Sequence, residues 1–170
     1  MRWLVDGYNV IRRAPELAAR ERESLQAGRE ALCRLLAQAA RAPGDQFTVV
    51  FDGIQGGGGT AGGTGVRVVF SSARENADQV LARMATAGAA VVSNDREVRQ
   101  AAARAGAIAI SADEFLVRLR KRATPVMPDQ DRDDDVPALT KKGNPRRLPK
   151  KARAAARALG RLDRAPRRPP

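Results

Sequence analysis

The sequence predicts an α/β fold built on a mostly parallel sheet, and three observations carry that prediction. Short apolar runs alternate with segments of helical periodicity along residues 1–122. Helix-capping patterns stand where several of those runs end. Acidic residues recur at the same junctions, in LVDGYN, TVVFDG, VVFSSARENAD and VVSND. Alternation of strand and helix favours parallel crossovers, with helices on both faces of one sheet.

Taken in order, residues 2–5 form a short apolar strand, and 21–41 carry a helical stripe through Leu25, Leu32, Leu35, Leu36 and Ala39. Residues 47–51 and 66–70 are the next strands. A helix over 76–87 turns Val80, Leu81 and Met84 to one side. Strand 90–92, helix 97–104, strand 107–110 and helix 113–122 follow. Ser72 with Glu75, Asn94 with Glu97, and Ser111 with Glu114 have capping-box spacing, in which an N-cap oxygen takes a free N–H while the Glu reaches back.

Composition narrows the chemistry. The chain has 170 residues and no histidine, which removes the usual general base, the Ser-His-Asp triad and histidine-bound zinc. Cys33 is the single cysteine, so neither a disulfide framework nor a cysteine zinc site is available; in its leucine-rich helix it is expected to be a reduced, partly buried thiol. No apolar run is long enough to span a membrane, and Met1 leads directly into a strand, without the pattern of a secretion signal. A soluble, cytoplasmic protein is expected.

The net charge of +12 is unevenly distributed. Residues 141–170 hold twelve Lys or Arg against one acid, Asp163, a net of +11 that leaves about +1 for residues 1–140. Such a tail suits a polyanion, and Lys141, Lys142, Arg146, Arg147, Lys150, Lys151, Arg153 and Arg157 are its candidate RNA contacts. A basic helix over 150–162 is expected to carry Ala152, Ala156, Leu159 and Leu162 on one side. The expected organisation is a domain over 1–122, an acidic Pro-rich linker over 123–140 and the basic tail over 141–170. Residues 56–65 contain seven glycines but no GK[ST], so they are no phosphate-binding P-loop. A mobile connection and a flap over a nucleic acid both suit them.

Asp6, Asp52 and Asp95 lie at or just past strand ends, and Asp78 lies in the first turns of a helix that follows one. In an open parallel sheet those ends share the rim where ligands bind. Carboxylates gathered there repel one another unless a cation sits among them. Mg²⁺ or Mn²⁺ suits such an all-oxygen set, keeping several waters. Each acid alone is also explained as a cap or turn residue; capping accounts fully for Glu75, Glu97 and Glu114. Asp113 is a weaker fifth candidate. Asn9, three residues after Asp6, suits a hydrogen bond to a carboxylate or phosphate. Tyr8 could stack on a base, while Trp3 is expected in the core.

Taken together, VDGYNVI, VVFDG, VVFSSARENADQVL and VVSNDREV resemble the NYN branch of the PIN-like nucleases. The resemblance is greatest to the bacterial YacP-like group, which includes a ribosome-associated mRNA endoribonuclease. It implies a PIN-like three-layer α/β/α fold and metal-dependent RNA cleavage. It also implies acidic-site roles for Asp6, Asp78 and Asp95, a supporting role for Asn9, and a less strictly acidic one for Asp52. The expected function is therefore a Mg²⁺- or Mn²⁺-dependent endoribonuclease, with RNA and the ribosome as partners. The alternative is a non-catalytic RNA- or ribosome-binding protein with a structural metal. A phosphohydrolase of small esters would leave the tail unexplained and would lack a DxDxT nucleophile motif.

Overall fold

The computed structural model describes residues 1–40, 45–53, 65–123 and 149–162. Five strands form one sheet: β1 (Arg2–Asp6), β2 (Gln46–Phe51), β3 (Val66–Phe70), β4 (Ala89–Val92) and β5 (Ile108–Ile110). They lie in the order β3-β2-β1-β4-β5, and every neighbouring pair is parallel. Strand order reverses beside β1, so the crevice past the carboxyl ends of β1 and β4 is the topological switch point.

Alternation along each strand divides the core in two, since successive side chains leave opposite faces. Trp3, Val5, Phe47, Val49, Phe51, Ala90 and Val92 join the larger cluster, while Leu4, Val50 and Val91 face the smaller one. Helices α1 (Gly7–Arg13), α2 (Pro15–Glu23), α3 (Leu25–Ala39), α6 (Ala112–Ala123) and α7 (Lys150–Leu162) pack on the first face. Helices α4 (Ala77–Met84) and α5 (Arg96–Arg104) cover the second. The result is the expected α/β/α layering. Trp3 anchors the larger core, its ring centroid 5.9 Å from Phe47 and 5.6 Å from Phe115. Cys33 is buried, and burial, with Glu30 adding to it, pushes its thiol up to about 11, so it is an inert apolar filler.

The strands agree with the sequence expectation to within about a residue, but the first helical stretch does not. In place of one helix over 21–41, three helices follow β1. Asp6 both ends β1 and caps α1; Pro15 opens α2 at its first turn, where its missing N–H costs nothing; Ser24 ends α2 and accepts the Ala27 N–H at 3.0 Å to start α3. Two glycines permit this crowding. A Cβ on Gly7 would clash with ring carbons of Phe51, and one on Gly28 would come 2.9 Å from the Glu21 Cα, where α3 folds back on α2.

Two of the three expected capping boxes are corrected. Ser72 and Glu75 form an isolated antiparallel bridge, and Glu75 pairs with Arg83 at 2.9 Å. The box before α4 is Asn76 with Gln79. At α5 the cap is Asp95, not Asn94, because the Asp95 carboxylate accepts the Glu97 and Val98 N–H groups. Ser111 with Glu114 stands as expected at α6. The stripe of α7 is also corrected: Ala155, Ala158, Leu159 and Leu162 pack inward, whereas Ala152 and Ala156 are exposed. Packing against α6 and β5 selects the i, i+3, i+4, i+7 face. The acidic linker beyond Ala123, the glycine-rich segment before Gly65, and Lys141, Lys142, Arg146 and Arg147 lie outside the described residues. Among the described residues, no helix is long and apolar enough to cross a membrane.

Candidate active site

All four aspartates reach one rim. Asp6 ends β1, Asp52 follows β2, Asp78 lies in the first turn of α4, and Asp95 caps α5. Together with Asn9 they line a cleft of about 790 Å³ at the switch point. Asp113 is not part of that lining; it accepts the Asn94 side-chain N–H at 2.7 Å and serves to tie α6 to the loop after β4.

Two serines set the geometry, each just past a strand. Ser93, fully buried, donates to Asp6 Oδ2 at 2.8 Å and accepts the Asp95 N–H at 3.0 Å. Ser71 donates to Asp52 Oδ1 at 2.6 Å and accepts the Gly53 N–H at 2.9 Å. Asp52 Oδ1 also accepts the Ala77 N–H at 3.3 Å, holding the start of α4. Asn9 is fixed by the Asn94 N–H on its Oδ1 at 2.9 Å, and its side-chain N–H₂ has no protein acceptor among the described residues. Asp78 accepts no hydrogen bond from the described residues, which leaves both its oxygens to the cleft.

Two of the carboxylates, Asp6 and Asp78, are raised by burial and by neighbouring like charge. Burial raises Asp6 above the ordinary carboxylate range, and the charges of Asp78 and Asp95 add to it; the hydrogen bonds from Ser93 and Asn9 oppose the rise. Asp78 is raised too, by partial desolvation first and then by Asp95, Asp52 and Glu97. No three Asp, Glu, Cys or His side chains among the described residues close on a point as a preformed metal cage. The donor set is nevertheless all oxygen, like-charged and partly desolvated. That chemistry fits a hard divalent cation which retains water ligands, with Asp6, Asp52, Asp78 and Asp95 as the residues that would hold it.

The cleft also has a cationic and aromatic lining, made up of Tyr8, Arg12, Arg13 and Arg29. The Tyr8 ring meets Phe51 edge-on with centroids 5.2 Å apart, and the Arg12 guanidinium lies 5.4 Å from its centroid. Lys150, Lys151, Arg153 and Arg157 stand exposed on α7 and are not part of the cleft. Ser71, Ser93 and Arg29 escaped the sequence reading. Short buried serines look like turn residues, but Arg29 carried a signal, since it interrupts the inward stripe of α3 formed with Leu32, Cys33 and Leu36.

The parallel α/β/α sheet and its acidic switch-point crevice agree with the class that the family comparison assigns, a nuclease-like protein of the PIN type. The chain belongs to the YacP-like NYN domain family, whose model matches residues 3–156. Among solved structures it is similar to a mutant of Rae1 (YacP) from Bacillus subtilis, with 27% identity and a TM-score of 0.62 over 72% of this chain and 76% of that one. A second Rae1 (YacP) crystal structure from the same organism matches at 26% identity and a TM-score of 0.57, over 72% of this chain and 75% of that one. No curated protein matches the chain. The family is nuclease-like and implies an RNA substrate.

Proposed function

We propose that the protein is a Mg²⁺- or Mn²⁺-dependent endoribonuclease that hydrolyses RNA phosphodiester bonds, acting on mRNA at the ribosome. The observation that carries this reading is the convergence of Asp6, Asp52, Asp78 and Asp95 on one cleft, where Asp6 and Asp78 are raised by burial and by one another's neighbours. A divalent cation held there would activate water and offset charge developing on the phosphodiester. Asp6, Asp78 and Asp95 would hold the cation, with Asp52 assisting. Ser93 keeps Asp6 and the start of α5 in register, and the Asn9 amide N–H₂ is available to donate to a phosphate oxygen. Tyr8, in the cleft lining, would stack on a base. The basic residues of α7, with Lys141, Lys142, Arg146 and Arg147, add affinity through counterion release and little sequence choice. Action at the ribosome rests on the family resemblance and this basic surface.

The second reading is a non-catalytic RNA-binding protein with a structural metal, and the basic residues exposed on α7 are the observation that favours binding. Purified full-length protein incubated with structured and unstructured RNA, in Mn²⁺, Mg²⁺ or EDTA, separates the two. Cleavage that requires metal and disappears in Asp78→Asn, with RNA affinity nearly intact, supports the enzyme. Metal-independent, salt-sensitive binding without cleavage, on free RNA and on translating ribosomes, supports the binder.

A further inference from the structure

Arg29 is a buried cation without a buried anion. It is only 8% exposed, yet among the described residues it forms no ion pair. A guanidinium removed from water is costly unless something compensates its charge. Its partial compensation is aromatic: the guanidinium lies 5.1 Å from the Phe70 centroid, 5.5 Å from that of Tyr8 and 5.6 Å from that of Phe51. Nε donates to the Tyr8 hydroxyl at 2.9 Å and Nη2 donates to the same oxygen. Five N–H donors make up the guanidinium, so the fork is not exhausted. No Arg29 nitrogen is sealed away without a partner, and the residue lines the cleft, so the remaining donors open onto it.

Those rings also decide what Arg29 does not do. They hold it in the lining of the cleft, where among the described residues it forms no salt bridge with any aspartate. The cation is thus kept available in a half-dry cleft that the carboxylates also line. An anion with planar or tetrahedral oxygens suits a guanidinium fork, and phosphate accepts from it bidentately. The Tyr8 hydroxyl accepts from Arg29, and its own proton has no protein acceptor among the described residues, so it can be donated to the same ligand.

We propose that Arg29, oriented by Tyr8, Phe51 and Phe70, anchors a backbone phosphate of the bound RNA strand. This inference rests on the nucleic-acid reading of the cleft but not on cleavage. It is therefore tested by binding, in full-length Asp78→Asn protein, using a fluorescein-labelled oligouridine of about twelve nucleotides. Arg29→Gln should weaken binding about tenfold and lower the slope of log affinity against log salt by about 0.7, the contribution of one phosphate contact on a single strand. Tyr8→Phe removes the orienting oxygen and leaves the charge, so affinity should fall while the slope is kept. An Arg29→Gln protein that melts like its parent and retains the full salt slope overturns the proposal, because a purely structural role would lower affinity alone. Should Arg29→Gln melt early, the Nε–Hε resonance of Arg29 in ¹⁵N-arginine-labelled Asp78→Asn protein decides. A shift on adding the oligouridine supports the anchor, and an unmoved resonance at saturation overturns it. Loss of cleavage by the unmodified protein would remove the nuclease reading without touching either outcome.

Discussion

The two serine-held sides of the cleft use the same device to different ends. On each, a hydroxyl just past a strand donates to an aspartate at the end of the neighbouring strand and accepts a loop N–H. Around Ser93 the aspartate is buried, and burial with nearby like charge lifts its pKa. Around Ser71 the aspartate is exposed, and one of its oxygens is committed to the start of α4 through Ala77. A shared hydrogen-bond motif therefore yields a poised, desolvated carboxylate in one place and a positioning one in the other. Burial makes the difference.

The sharpest way to break this comparison is to neutralise both acids. Asp6→Asn should lower cleavage by about a thousandfold, equivalent to about 4 kcal/mol of transition-state stabilisation. Asp52→Asn should lower it by about tenfold, because Asp52 Oδ1 is already committed to Ser71 and Ala77 and only its other oxygen is left for the cation. Equal losses in single-turnover rates would show that the two sides are equivalent. The serines give a smaller contrast. Ser93→Ala strands a buried carboxylate oxygen and should cost about 1–3 kcal/mol in urea unfolding, whereas Ser71→Ala leaves an exposed Asp52 that keeps Ala77 and water as partners and should cost under about 1 kcal/mol. Ser71→Ala as damaging as Ser93→Ala would remove burial as the cause.

Least in size is the pH effect in metal-free protein. The folded-state pKa values of Asp6 and Asp78 lie above the ordinary value of 3.8, so each group ionises more readily in the unfolded chain. Their contribution is fully present below the unfolded pKa and is lost as pH rises through the folded one. In EDTA the melting temperature should therefore decline over that window, Asp78→Asn should decline less, and Mn²⁺ should restore stability at neutral pH by binding the ionised form. A melting temperature in EDTA that rises across the window would contradict the assigned directions.

The structure also changes how the basic end can be probed. Leu159 and Leu162 are buried in the main core, so deleting residues 141–170 would uncover it and confuse affinity with folding. Neutralising exposed Lys150, Lys151, Arg153 and Arg157 together keeps the inward stripe, and should lower RNA affinity and its salt slope while the melting temperature holds.

Legibility followed the range of the interactions. The five strands were readable because β-branched apolar runs between helical segments have few alternatives, and the rim carboxylates followed from their places at strand ends. The three helices after β1 were not, because α1 is too short to display a stripe and the break at Ser24 depends on α3 folding back over Glu21 across Gly28. Asn94 and Glu75 illustrate the same limit, since local spacing offered them caps while partners at Ala112 and Arg83 took them elsewhere.

By itself, then, the sequence determined the layered parallel sheet, the aspartate-bearing rim and a strongly basic end, because periodicity and charge are local properties of the chain. Only the tertiary structure decided which aspartate is desolvated, that Ser93 joins Asp6 to Asp95, and that Arg29 sits among three rings in the cleft they line. Those facts depend on what surrounds a side chain once distant segments meet, and dielectric environment has no counterpart in residue spacing.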